Sequence, residues 1–198
     1  MKALGFVAAI APAMPSMQTD DGTRDLRAAQ AGDLAAFELL MRRHERLVLV
    51  TALRLLGNMD DARDASQEVF LKLYRNLAKV ATDNLAGWLY RVTVNECRDT
   101  QRRRARARSE ELPAEMAAHG PDPQQAAFAV ERRRVLEMSL RLLSERERAA
   151  LVLRDLEGLP TGEVARILGS SEATVRSQVS KARVKMKGFV ERYFGRRE

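Results

Sequence analysis

The chain has 198 residues, of which 34 are Lys or Arg and 27 are Asp or Glu, giving a formal net charge of +7. That length holds one domain or two small ones, and the positive balance points to a polyanionic partner, nucleic acid or an anionic membrane surface alike. The single Cys97 excludes an internal disulfide. His44 and His119 stand too far apart in sequence to suggest a metal-ligand pair, so no metal or cofactor is expected. His44 reads as a partly exposed helix residue and His119 as a loop residue.

The opening stretch, "MKALGFVAAIAPAMPSM", carries an apolar run from Ala3 to Ala11 that is too short to cross a bilayer as a helix. A secretory signal is one reading, with "APA" where a peptidase would cut. A disordered leader over residues 1–24 suits the rest of the chain better, as does a start codon placed too early, with Met14 or Met17 as the true start.

From Leu34 to Arg108 the pattern is almost continuously helical. "LAAFELLMRRHERLVLVTALRLLGN" sets Phe37, Leu40, Met41, His44, Leu47 and Val48 on one broad stripe, and Gly57 with Asn58 supplies a stop. "DDARDASQEVFLKLYRNLAK" begins with Asp60 and Asp61 and ends with Arg75 and Lys79, the charge order that a helix dipole favours. Its expected inner face is Ala62, Ala65, Val69, Leu73 and Leu77. After "ATDNLAG" a third helix is expected from about Trp88 into "RDTQRRRARAR", which holds six arginines in eleven residues.

Composition then changes. Ser109 to Gln125, "SEELPAEMAAHGPDPQQ", contains three prolines, a glycine and four carboxylates but no Lys or Arg, the pattern of a linker. Beyond it a helix is expected from about Ala126 to Leu143. Ser144 and Glu147 then form a capping box, and "ERERAALVLRDLEG" brings in Ala149, Leu153 and Leu156 as core positions up to Gly158.

"PTGEVARILGSSEATVRSQVSKAR" follows. Val164, Ile167 and Leu168 are expected to pack one short helix, Ala165 and Gly169 sit at the small and turn places, and Ser171 is placed to cap the next helix. In that helix Val175, Val179, Ala182 and Met186 share a buried stripe. Thr174, Arg176, Ser177, Gln178, Lys181 and Arg183 are left outward, where hydroxyls, amide and cations meet base edges or phosphates. Two short helices joined by a glycine turn, the second polar and cationic outside, are the helix-turn-helix pattern.

Both halves together resemble one family. "GDLAAFELLMRRH", "LRLLGNMDDARDASQEVFLKLYRNL", "WLYRVTVNECRD" and "LSERERAALVLRDLEGLPTGEVARILGSSEATVRSQVSKARVKMK" are similar, in order and spacing, to the extracytoplasmic-function (ECF) sigma factors of bacterial RNA polymerase, over about Gly32 to Lys187. The resemblance implies that Asp61, Asp64, Gln67, Glu68 and Phe70 contact the clamp helices of the largest polymerase subunit. Core packing is the competing role for Phe70, and a solvated surface for Asp64 and Glu68. It further implies that Arg91, Asn95, Arg98 and Arg102, which recur at steps of four, three and four, face the minus-ten element. Arg103, Arg104, Arg106 and Arg108 are expected on phosphates, and Trp88 in the core with base stacking as the alternative.

The same resemblance assigns the minus-35 element to Ser170, Ser171, Thr174, Arg176, Ser177, Gln178 and Lys181. The sequence departs from the family pattern in three places. No aromatic or arginine lies between Val80 and Gly87, where a flipped base is captured; Gln178 stands where Arg is frequent; Pro160 replaces a Ser or Thr cap. In related initiation complexes the acidic linker threads a basic channel.

The expectation is therefore an all-α chain of two small helical domains: a leader at 1–24, a region 2 domain at 25–108, a linker at 109–125 and a region 4 domain at 126–198. Its implied partners are core polymerase, promoter DNA and an anti-sigma protein, with no membrane insertion, no catalysis and a cytoplasmic site of action. The rival readings are a stand-alone helix-turn-helix regulator, which would bind its operator tightly without polymerase, and a nucleic-acid-modifying enzyme, which needs a catalytic cluster that the sequence does not offer.

Overall fold

The computed structural model describes residues 20–81, 84–107 and 125–195, and among them the regular structure is helical, without strands. They divide into two compact units that part between Arg104 and Ala105. The N-terminal unit contains α1 (Asp20–Gln30), α2 (Leu34–Leu56), α3 (Met59–Asn76), a 3-10 turn at Leu77–Lys79 and α4 (Leu85–Ala107). The C-terminal unit contains α5 (Gln125–Arg141), α6 (Glu145–Leu151) running into a π-helical segment at Val152–Leu156, α7 (Thr161–Leu168) and α8 (Glu172–Gly195). The leader residues 1–19 and the linker residues 109–124 lie outside the described residues.

In the N-terminal unit the caps set the long helices. Asp33 Oδ1 accepts from the amides of Ala35 and Ala36 at 2.9 and 3.1 Å, satisfying two of the donors that the first turn of α2 leaves open. At the far end Gly57 takes φ 78°, a left-handed conformation that side chains disfavour, and its amide closes on Leu53 O at 2.8 Å. Asn58 then caps α3 through the Asp61 amide at 2.9 Å. With only two residues between them, α2 and α3 pack as neighbours and bury Leu40, Leu47, Val48, Ala52 and Leu55 with Ala62, Ala65, Val69 and Leu73. An edge-to-face contact of Phe37 with Tyr74, centroids 5.3 Å apart, joins the start of α2 to the end of α3.

Three expectations change here. Residues 20–24 of the supposed leader are helical: they open α1, whose Leu26 and Ala29 are buried where α1 packs on α2, and an Asp25–Arg43 ion pair of 2.9 Å ties the two helices. His44 is 3% exposed, not partly exposed, because it stands four residues after Leu40 and three before Leu47 on the inward stripe. Burial and then the neighbouring Arg43 charge lower its pKa to about 4, so the imidazole is neutral at physiological pH. Leu77 is half-buried and outside α3, which ends at Asn76. The carboxamide of Gln30 donates to Leu77 O and Val80 O at 2.9 and 3.0 Å, occupying carbonyls that the finished helix leaves open.

In the C-terminal unit α6 and α7 have only 7 and 8 residues, and their ends do more of the holding. The capping box forms as expected, Ser144 Oγ accepting from the Glu147 amide at 3.4 Å and Glu147 Oε2 from the Ser144 amide at 3.0 Å. α5 ends at Arg141, two residues before the expected Leu143. The Arg148 guanidinium donates to Leu140 O at 2.9 Å and Leu143 O at 3.2 Å, closing that end. The helix expected to run unchanged to Gly158 instead widens over its last turn, the Glu157 amide bonding Val152 O at 2.9 Å. Leu151, Val152, Leu153 and Leu156 are buried there, and α6, α7 and α5 all pack on α8.

Candidate nucleic-acid interface

The second unit presents α7 and α8 as a helix-turn-helix. Pro160 precedes α7 without a side-chain cap, and its carbonyl accepts from the amides of Glu163 and Val164, both at 3.0 Å. Val164, Ala165 and Ile167 are buried, whereas Leu168 is only half-buried. Gly169 reverses the chain at φ 62°, ψ 44°, and the amides of Gly169 and Ser170 both return to Ala165 O. A Cβ at Gly169 would meet open space, so the need for glycine is conformational rather than steric.

Ser171 caps α8, its Oγ accepting from the Thr174 amide at 3.1 Å and lying 2.9 Å from Thr174 Oγ1. Val175, Val179, Ala182 and Met186 form the buried stripe. Opposite them Ser170, Ser171, Thr174, Arg176, Ser177 and Lys181 are exposed, with Gln178 half-buried at the margin. Arg176 pairs with Glu172 at 3.1 Å, but both side chains are more than half exposed, and such i,i+4 pairs are worth only about 0.3–0.5 kcal/mol. The guanidinium can exchange that carboxylate for a base edge at small cost. Arg183 is exposed as expected from the sequence, but it donates twice to Asp155, at 2.8 and 2.7 Å, a two-point hold that Arg176 lacks.

In the first unit α4 carries the arginine stripe. Arg91, Asn95 and Arg102 are exposed and Arg98 is half-buried, all on one face as their spacing requires. Arg102 lies 3.7 Å from Asp99. Trp88 is half-buried at the helix start. The arginines behind the stripe are engaged within the protein: Arg103 with Glu96 at 3.5 Å and Thr100 Oγ1 at 3.0 Å, and Arg104 with Asp61 at 2.6 Å. Glu96, itself buried, also holds Lys72 of α3. Arg106 is exposed, and Arg108 with Thr82 and Asp83 of the preceding loop lies outside the described residues.

On α3, Asp64 and Gln67 are exposed and Glu68 is half-buried, forming an acidic ridge. Asp61 and Phe70 are placed differently. Asp61 is bonded to Asn58 and Arg104, and Phe70 is 7% exposed, its ring in the core beside Val69 and Leu73. Cys97 is buried as well, and burial, then Glu96 and Asp61, push its thiol up to about 12, leaving it inert.

Gln30, Glu96 and Asp155 were not singled out from the sequence as positioning groups. Their partners lie 47 and 50, 24, and 28 residues away respectively, and no local pattern announces such pairs. Among the described residues no group of three His, Cys, Asp or Glu could hold a metal ion, and no helix is long and apolar enough to cross a membrane.

A helical chain with a helix-turn-helix in one unit and an arginine-striped helix in the other belongs among bipartite nucleic-acid-binding proteins. The family called Sigma-70 region 2 matches residues 40–107, and the family called Sigma-70, region 4 matches residues 132–186. The chain is 35% identical over 168 residues to the ECF RNA polymerase sigma factor SigE of Mycolicibacterium smegmatis, covering 82% of this chain and 65% of that protein. It is 34% identical over 169 residues to the ECF RNA polymerase sigma factor SigM of Mycobacterium tuberculosis, covering 81% of this chain and 80% of that one. Among solved structures, the sigma factor RpoE of Bartonella quintana, in complex with the anti-sigma factor NepR, has the same fold at a TM-score of 0.66 and 22% identity, over 78% of this chain and 96% of that one. The chain belongs to the ECF RNA polymerase sigma factors.

Proposed function

We propose that this sigma factor joins core RNA polymerase through the acidic ridge of α3, reads the minus-ten element with α4 and the minus-35 element with α8, and so directs initiation without catalysing a step itself. The observation that carries this reading is the exposed face of α8: Thr174, Arg176, Ser177 and Lys181 stand together on a helix whose opposite stripe is buried, with Ser170 exposed in the turn just before it. Hydroxyls and cations in that array can bond base edges and phosphates in a major groove.

In this assignment the region 2 domain extends through Arg108 and the acidic tether begins at 109; of the tether expected over 109–125, Gln125 already opens α5, so the region 4 domain starts there rather than at 126 and runs to 198. On α4, Arg91, Arg98 and Arg102 hold phosphates while Asn95, with a donor and an acceptor, meets a base edge. On α3, Asp64, Gln67 and Glu68 form the polymerase contact; Asp61 and Phe70 support it from behind, one pinning α4 and the other packing the core. The factor acts in the cytoplasm, and an anti-sigma protein that covers one or both modules controls it, as the ECF resemblance implies.

The test is transcription from a genomic fragment library by purified core polymerase with and without the protein. Discrete start sites that depend on the protein, and that share one motif near minus ten and another near minus 35, are expected. Transcripts that start at the same places without it would overturn the reading.

A further inference from the structure

α8 carries two half-exposed cations, one on each flank of its buried stripe, that reach back to carboxylates of their own module. Arg183 is held by both oxygens of Asp155 at 2.7 and 2.8 Å, and Lys185 by both oxygens of Glu147 at 2.7 and 2.9 Å. The two carboxylates are well fixed. The Asp155 side chain is 9% exposed and Glu147's is 6% exposed. Glu147 is also locked by the capping box, and Asp155 sits in the widened turn at Val152–Leu156.

The placement on the helix is the informative part. Successive helical residues are about 100° apart, so Arg183 and Lys185 fall some 70–90° to either side of the buried stripe of Val175, Val179, Ala182 and Met186. One ion pair pulls on each flank. The packed stripe fixes the helix broadly, and the two ion pairs add directional holds on its flanks, where a charge-assisted contact is sensitive to small rotations. With side chains reaching about 5–6 Å from the axis, a roll of only 20° moves their tips by roughly 2 Å, enough to break a base contact.

We infer that Asp155 and Glu147 are positioning residues for minus-35 recognition, clamping Arg183 and Lys185 so that the outward face of α8 meets the groove at a fixed rotation. Arg183 is thereby an internal fastener rather than a DNA contact. This rests on the reading of α8 as the minus-35 helix. The widened turn gains a purpose, since its altered winding sets the direction of the side chains within it, Asp155 among them.

The test uses holoenzyme assembled from the full chain and core polymerase, on promoter variants substituted at each minus-35 base in turn. Wild type is measured first; if it ignores the minus-35 substitutions, the assignment of α8 fails and the clamp with it. Given a wild-type preference, Asp155→Asn is expected to flatten it about 5- to 10-fold, with holoenzyme yield and minus-ten dependence unchanged. The exchange variant Asp155→Arg with Arg183→Asp is expected to recover part of the preference, and Lys185→Met to flatten it further when added to Asp155→Asn. The inference is overturned if Asp155→Asn keeps the wild-type preference. It is equally overturned if Arg183→Ala weakens binding alike on every minus-35 variant and lowers its salt dependence, since that would make Arg183 a phosphate contact.

Discussion

The two units solve the same problem, a small helical core beneath a helix with cations on its outer face, in different ways. The first combines its cross-helix pairs, Asp25–Arg43, Lys72–Glu96 and Asp61–Arg104, with length: α2 and α4 each have 23 residues and α3 has 18, so long apolar stripes share the holding. It tolerates imperfect polar pairing inside, and His44 Nδ1 and Thr51 Oγ1 are buried without a partner among the described residues. The second relies on fastening: α6 has 7 residues and α7 has 8, too short to persist in isolation, and caps, a positive-φ glycine and the Glu147–Lys185 and Asp155–Arg183 pairs tie them to α8.

The largest expected break in this comparison comes from Leu153→Ala, which opens a cavity at a fully buried position of the second unit. A cost of about 2–5 kcal/mol is expected, with amide exchange protection lost across α5–α8. Trp88, the single tryptophan, lies in the first unit, so its fluorescence transition in urea should not move.

Next in size is acid sensitivity of the first unit. The pKa of His44 is about 4 when folded against 6.5 for the free side chain, so between these values the unfolded chain takes up the proton first. Stability contributed by the neutral imidazole is therefore complete above pH 6.5 and falls progressively toward pH 4, by at most about 3 kcal/mol. Urea unfolding followed by Trp88 at stepped pH measures it, and His44→Leu should remove the dependence over that window.

The fasteners of the second unit give smaller, sharper effects. Gly169→Ala should cost about 1–2 kcal/mol, the penalty for a side chain in a left-handed conformation, seen in the exchange protection of α7 and α8. Lys185 and Ser144 hold the Glu147 carboxyl below its usual pKa, so the stability the clamp adds should be complete above the ordinary carboxylate range and be lost as pH falls below that range through the lowered folded pKa, as exchange protection of α6 and α8 at stepped pH would show. Smallest in stability is Arg176→Ala, within about 0.5 kcal/mol because its partner Glu172 is on the surface, yet under the proposed function it should relax minus-35 preference. An equal loss on every promoter would contradict that role.

How much of this was legible beforehand follows the same division. Periodicity revealed the inward stripes of α2, α3 and α8, since a repeat of 3.6 residues is a local property, and Gly57, Asn58, Ser144 and Gly169 marked the ends that they do form. α1 was missed because its short stripe of Leu26 and Ala29 is set among polar residues and gains its helix from packing on α2. The widened turn left no mark, as Val152–Leu156 reads like ordinary helix. The outward position of Arg183 was readable from a helical wheel, but its pairing was not, because its partner, Asp155, lies 28 residues earlier. The exposed set on α8 was readable as a pattern, whereas the groups that aim it were not.

The central claim is that both DNA-facing surfaces act within polymerase, and one titration addresses it most directly. A labelled duplex spanning one protein-dependent start site is titrated with the protein alone and with the protein bound to core enzyme, and anisotropy is followed. Tight, sequence-specific binding with core and only weak, salt-sensitive binding without it is the predicted result. Equally tight, equally specific binding by the protein alone would contradict the account.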